Sequence, residues 1–341
     1  MGFKTLFTGM AAAGLAVSMM ASAAFAENLR VMAWDGYADK DWVKEFTAET
    51  GIGVDVVFIG SDDEAWAKMK GSEGKDFDVF AVNTAQLQRY IAADLVTPID
   101  VDALPNQKEV LPRFRDLTAV HGDTKDGKVY GIPFCFDSIG LIYDTDKVKP
   151  APTSMSVLWD PAYKGKVLAY DNGEHNVSFT ALTLGYPDPF HLDAKQLAAV
   201  QAKLVDLKRN VLSFYTTADE AQQIYKDNDV ALIWANYGQQ QLKALQAIGA
   251  HVAYINASEG ALAWLDNWVI SKGVHDKSAA EKWINFMISK TVSSQLSERT
   301  GFGNTVTATA SAGGNDKLIW LDNVEDPLKR SDIWNEVKAT P

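Results

Sequence analysis

The chain has 341 residues and a formal net charge of −12, from 44 Asp and Glu against 32 Lys and Arg. An acidic protein without a basic stripe argues against nucleic acid as a partner. Its one cysteine, Cys135, excludes an intrachain disulfide and a cysteine-based metal site, and the neighbours Pro133, Phe134 and Phe136 suggest an inert buried thiol.

Residues 1–26 read as a targeting segment rather than as part of the fold. Lys4 is their single charge, an apolar run follows, and Ala24-Phe25-Ala26 has the small-x-small form of a signal-peptidase site. Cleavage is expected after Ala26, with export to the periplasm. No later stretch reaches the apolar length of a membrane span. What remains exceeds what one hydrophobic core supports, so two lobes are expected. No internal repeat or Gly/Ser linker separates them, which implies a body in which the chain crosses from lobe to lobe.

The first element is an apolar run, Leu29–Tyr37, that reads as a buried strand ending in Trp34 and Tyr37 around Asp35-Gly36. Asp39 can cap a helix with Trp42, Val43 and Phe46 on one face, ended by Gly51. Gly53–Ile59 is a second strand. Ser61-Asp62-Asp63-Glu64 then has the form of a capping box, with Trp66 and Met69 on the inner face. Phe77–Val82 is a third strand, and Asn83-Thr84 opens the next helix. This alternation predicts a mainly parallel sheet covered on both faces. Tyr130–Phe136 and Ile139–Tyr143 are two further strands at a first crossover. In the second unit Lys166–Tyr170 is a strand, Ser178–Leu184 a helix closed by Gly185, and Asp193 caps a helix carrying Leu197, Val200, Leu204 and Leu207. Val211–Tyr215 and Val230–Trp234 are strands, and Tyr237–Ile248 a helix ended by Gly249. Asn267–Ser271 reads as a strand returning to the first lobe, followed by a helix capped by Ser278 with Ala280, Trp283, Ile284 and Met287 inside. The last forty residues are mixed.

Three aromatic strand ends stand out: Trp34/Tyr37, Trp234 and Trp264-Leu265-Asp266. In an open α/β sheet, ligands sit at the carboxyl ends of strands. Trp and Tyr there present flat, electron-rich faces that suit a cation or a short aliphatic chain. Asp266 lies between apolar neighbours, and a buried carboxylate requires a partner. That partner is either an Arg or Lys of the same chain or a bound ammonium, and the residues alone leave both open.

Over essentially the whole mature length the chain resembles the periplasmic spermidine/putrescine-binding proteins of ABC transporters. Trp34 and Tyr37 match the Trp-x-x-Tyr after that family's first strand, and Ile233-Trp234 matches the Ile-Trp closing a second-lobe strand. The segment Gly260-Ala261-Leu262-Ala263-Trp264-Leu265-Asp266 matches the one carrying the amine-binding carboxylate. Gly301-Phe302 matches a position where Tyr is commoner. Glu49-Thr50-Gly51-Ile52 and Tyr163-Lys164-Gly165 are lesser matches. The joint order and spacing is specific where each motif alone is weak.

The departures concern the ligand's second end. After the third strand this chain has Asn83, Thr84 and Ala85 in place of Ser/Thr and an aromatic. The acidic second-lobe segment reads Asp171-Asn172-Gly173-Glu174-His175-Asn176, which puts Asn172 and His175 at the acidic positions unless a one-residue slip restores Glu174. Ala235-Asn236-Tyr237 stands where some putrescine binders carry an Asp. One amine pocket therefore reads as retained while the other has lost negative charge. A diamine held at one end only would leave its second ammonium poorly compensated, so that pattern suits 4-aminobutyrate better, with its ammonium on Asp266, and a polyamine is the alternative. The carboxylate would be met by His175, Tyr237, Asn83 or a nearby Arg such as Arg89 or Arg299.

The resemblance implies a two-lobed α/β periplasmic binding protein fold (type II) with the ligand in the interlobe cleft. Lobe 1 would take residues 27–135 and 265–305, lobe 2 residues 136–264 and 306–341. The implied function is the solute-binding component of a polyamine-family ABC transporter, a monomer delivering a small primary amine to a permease at the inner membrane. Trp34, Tyr37, Asn83, Asp137, His175, Trp234, Tyr237, Trp264, Asp266 and Phe302 are the expected ligand contacts. The competing classes are a secreted hydrolase and an iron-binding protein on the same two-lobed fold. Against them, the five His residues (121, 175, 191, 251 and 275) are scattered, and no Gly-x-Ser-x-Gly elbow, His-Glu-x-x-His or Gly-rich phosphate loop occurs. Tyr37 and Tyr237 are too few for an iron site. Catalytic residues, metal and cofactor are therefore expected to be none.

Overall fold

The computed structural model describes residues 1–2, 27–308 and 317–340. The targeting segment and its cleavage site lie outside the described residues. No described helix is long and apolar enough to cross a membrane.

The amino-terminal third folds as β1 (Leu29–Trp34), α1 (Lys40–Thr50), β2 (Val54–Ile59), α2 (Asp62–Gly71), β3 (Val79–Asn83), α3 (Thr84–Ala92) and the short β4 (Val96–Thr97). Strand β1 pairs in parallel with β2 on one side and β3 on the other. Gly51 closes α1 in the left-handed conformation that glycine adopts without strain, its N–H reaching Thr47. Asp39 occupies the cap position of α1 but makes no side-chain cap bond; its carboxylate is drawn instead to Arg299 at 2.5 Å. At α2 the Ser61 hydroxyl accepts from the Glu64 N–H, while the Glu64 carboxylate reaches Gly60 rather than Ser61, so the box is only half closed.

A short helix, α4 (Pro112–Arg115), and the hairpin β5 (Thr124–Lys125) and β6 (Lys128–Val129) lead into β7 (Gly131–Asp144). This is one continuous buried strand where the sequence reading expected two. The second unit is β8 (Val167–Tyr170), α5 (Gly173–Thr183), α6 (Ala194–Lys208), β9 (Val211–Tyr215), α7 (Ala218–Asp227), β10 (Leu232–Ala235), α8 (Gly238–Ala247) and β11 (Val252–Ile255). Helix α5 starts five residues before Ser178 because the Asn172 side chain accepts from the His175 N–H and caps it there. The chain returns through β12 (Ala261–Ser271), which is buried throughout and begins well before the expected Asn267. Helix α9 (Lys277–Met287) is capped by Asp276, not Ser278. Helix α10 (Lys290–Thr300), β13 (Gly303–Asn304), β14 (Leu318–Trp320) and α11 (Pro327–Ala339) complete the chain.

The strands run in the order β2-β1-β3-β12-β7-β10-β8-β9, so β12 and β7 form an antiparallel seam between two parallel units. Both seam strands serve the two lobes of a mixed α/β fold. The ladder between them slips at Asp266/Asn267, where Phe134 is left over on β7 beside Pro133. Proline has no N–H to donate, and such bulges re-aim a side chain next to a site. Helix α11 is tied to the second lobe by Arg330 to Ser178 at 2.6 Å and by Trp334 to Asp171 at 2.6 Å.

Candidate functional site

A cleft of about 840 Å³ opens between the two parallel units, at the carboxyl ends of β1, β2, β3 and β8. Its first wall is built by the turn after β1. The Tyr37 N–H closes on the Trp34 carbonyl at 3.1 Å, and Gly36 takes φ +82°, a turn conformation that glycine adopts without strain. Trp34 and Tyr37 thereby both face the cleft.

Asp266 faces it from β12 and is only 6 % exposed. Its hydrogen-bond partner is the Tyr37 hydroxyl at 2.6 Å; no Arg or Lys pairs with it among the described residues. Desolvation pushes its carboxyl up to about 7, against the opposing effect of the Tyr37 hydrogen bond. Phe302 packs edge-on against Trp264 at 4.9 Å and against Tyr37 at 6.2 Å, so the three rings form one cluster, joined to the carboxylate through the Tyr37 hydroxyl. The Trp264 indole N–H is anchored on the Asn236 carbonyl at 3.2 Å, which fixes its face toward the cleft.

The opposite wall carries Tyr170, His175, Asn236 and Tyr237. The His175 ring bonds the Asn236 amide oxygen at 2.9 Å, and burial lowers its pKa to about 4, so it is neutral at pH 7. The Tyr237 hydroxyl is held by the Thr216 carbonyl at 2.5 Å, and its ring meets Tyr170 edge-on at 5.7 Å.

Two expected contacts lie elsewhere. Trp234 is 1 % exposed and sits behind Tyr170 and Phe179 in the second-lobe core, outside the cleft lining, because β10 is an interior strand. Asp137 is buried too. Its carboxylate accepts from the backbone of Ser138 at 2.8 Å and of Gln239 at 2.7 Å, so it holds the first turn of α8 instead of facing the cleft, and burial raises it to about 8. Of the cations considered for a ligand carboxylate, Arg89 stacks on Trp66 at 3.7 Å away from the lining. Arg299 does line the cleft but is engaged by Asp39 and Asp41, each at 2.5 Å.

Several lining residues were not among the expected contacts, Tyr170 and Asp62 among them. Asp62, placed by the sequence only within the capping box Ser61-Asp62-Asp63-Glu64, lines the cleft at the end of β2. Asn83 donates to it at 3.2 Å and with its oxygen caps α3 through the Gln86 N–H at 2.9 Å. Burial first, and then the charge of Asp266, push the Asp62 carboxyl well above the usual carboxylate range. The rule that found Trp34 at the end of β1 would have found Asp62 at the end of β2. Among the described residues no group of His, Cys, Asp and Glu is arranged to hold a metal ion.

The bacterial extracellular solute-binding protein family matches residues 41–322. The spermidine/putrescine-binding periplasmic protein of Escherichia coli K12 is 27 % identical over 338 residues, covering 97 % of this chain and 93 % of that protein. The putrescine-binding periplasmic protein PotF of the same strain is 27 % identical over 319 residues, covering 88 % of this chain and 84 % of its own length. A solved structure described as a putative spermidine/putrescine ABC transporter from Listeria monocytogenes superposes with a TM-score of 0.80 at 23 % identity, over 92 % of this chain and 99 % of that one. That likeness supports the fold.

Proposed function

The chain belongs to the bacterial extracellular solute-binding proteins, and from that membership we propose that it is the periplasmic binding component of a polyamine-family ABC transporter. Its cleft captures a small primary amine, putrescine, spermidine or 4-aminobutyrate, and presents it to a permease at the inner membrane. The observation that carries this reading is Asp266: a carboxylate 6 % exposed, walled by aromatic rings, facing a cleft, and lacking a cation of its own chain among the described residues. An ammonium there gains charge-assisted hydrogen bonds, while its methylene chain lies against Trp34, Trp264 and Phe302.

Lobe 1 then comprises residues 27–135 and 265–305 and lobe 2 residues 136–264 and 306–341, with crossings on β7, on β12 and in the region after Phe302. A ligand touching both walls favours the closed arrangement, which is the form a permease distinguishes from the empty one. The decisive experiment is calorimetry of the purified chain with putrescine, spermidine and 4-aminobutyrate. Saturable binding of one of them, lost in Asp266→Ala, supports the reading; no heat with any amine removes it.

A further inference from the structure

Building on the amine-binding reading above, we infer that Asp62 is a second cation-binding carboxylate, which makes the cleft selective for ligands carrying two positive charges. One carboxylate is enough for one ammonium, yet the first lobe offers two. Asn83 stands opposite Asp266 in the β3–β12 ladder and donates to Asp62 at 3.2 Å, so all three residues line the same cleft as neighbours in the fold. Asn83 is a neutral partner and its oxygen is already committed to the Gln86 N–H. It cannot neutralise Asp62.

The nearby cations are engaged elsewhere. Arg89 lies flat on Trp66. Arg299 is divided between Asp39 and Asp41. Lys243, at the exposed rim of the lining, donates to the Glu298 carbonyl at 2.5 Å. Once Asp266 has taken one ammonium, Asp62 remains a cleft-facing acid whose charge is stabilised by an amide, the amino end of α2 and the field of Arg89, with no cation hydrogen-bonded or ion-paired to it among the described residues. A second ammonium on the same ligand completes it. A ligand carboxylate in its place would meet like charge.

This assigns the acidic pole that the second-lobe segment no longer supplies at Asn172 and His175. It sits on the first lobe, at a residue the cleft shares with Asp266. Glu174, half-buried and bonded to Gln86 at 3.3 Å, adds to the negative potential from the other side but is outside the lining of the main cleft.

The test compares three four-carbon ligands that differ at one terminus: putrescine, butylamine and 4-aminobutyrate. The expected result for the unaltered protein is that putrescine binds at least about tenfold more tightly than butylamine, with 4-aminobutyrate weakest. Asp62→Asn lowers putrescine affinity by about tenfold or more and leaves butylamine nearly unchanged, while Asp63→Asn at the same helix start changes neither. Asp62→Ser, a residue suited to helix starts, repeats the measurement if the asparagine variant folds poorly. Equal affinity for putrescine and butylamine overturns the inference while leaving an amine-binding function intact. So does an equal loss of both ligands in Asp62→Asn, or 4-aminobutyrate as the tightest ligand. Absence of binding by any amine overturns the amine-binding function and this inference together.

Discussion

The Tyr37 hydroxyl donates a 2.6 Å hydrogen bond to the Asp266 carboxylate across 229 positions of sequence, joining the turn after the first strand to the strand that returns from the second lobe. The bond stabilises the ionised form of an acid that burial otherwise keeps near neutrality. Tyr37→Phe should therefore raise the Asp266 pKa above its present value of about 7 and weaken amine binding at pH 7 by about 1.5–3 kcal/mol, the range for a hydrogen bond to a charged group. Affinity measured against pH shows the shift directly, since a merely structural role for Tyr37 would lower affinity without moving the midpoint.

Asp266→Ala removes the anchor itself. The expected loss is about 2–5 kcal/mol of binding free energy, the range for truncating one partner of a buried charge pair. Calorimetry with the tightest amine ligand measures it; a loss under about 1 kcal/mol would place the ammonium elsewhere.

The raised pKa also makes a statement about stability, with a definite sign. Asp266 ionises near 3.8 when unfolded and near 7 when folded, so between those values the folded chain holds a proton the unfolded chain has released. Stability of the ligand-free protein therefore falls as pH rises from about 4 to about 7, and Asp137, raised to about 8, contributes in the same direction. Asp266→Asn should melt at a higher temperature than the unaltered protein at pH 8, with the difference shrinking toward pH 4. Thermal unfolding of both proteins across that range reads it.

How far the sequence disclosed this site follows from what each residue type signals. Trp34, Tyr37, Trp264 and Asp266 were legible because an aromatic or an isolated acid at the end of an apolar run contradicts its surroundings. Asp62 was not, because an acid at a helix start is already accounted for by the helix dipole. Trp234 misled for the opposite reason: the same strand-end pattern arises on β10, an interior strand whose end is covered by Tyr170 and Phe179. The long seam strands were read short, since Asp137-Ser138 in β7 and Asp266 in β12 interrupt the apolar runs when the pairing of the two strands is not known.

Arg330, 0 % exposed, ties the carboxyl-terminal helix to the second lobe. It pairs with Glu325 at 2.6 Å and donates to Ser178 at 2.6 Å and to the carbonyls of Pro189 and Phe190 at 3.0 and 2.9 Å. Arg330→Ala leaves these acceptors without their donor in a dry environment, so the expected destabilisation is about 3–5 kcal/mol. Chemical denaturation measures it, and amine affinity should be unchanged under native conditions because Arg330 lies outside the cleft lining.

Gln86 on α3 and Glu174 on α5 form a direct polar contact between the lobes, at 3.3 Å. Burial, the largest of the influences on it, raises the Glu174 carboxyl above its ordinary value. Removing the contact with Gln86→Ala costs the closed arrangement about 0.5–1.5 kcal/mol, enough to move the closed-to-open ratio several-fold toward open. Small-angle X-ray scattering of the ligand-free variant should give a larger radius of gyration than the unaltered protein. Saturation with the amine should bring the two together, because ligand contacts to both walls outweigh one lost hydrogen bond. Identical scattering in the ligand-free state would show that this hydrogen bond does not set how far the lobes open.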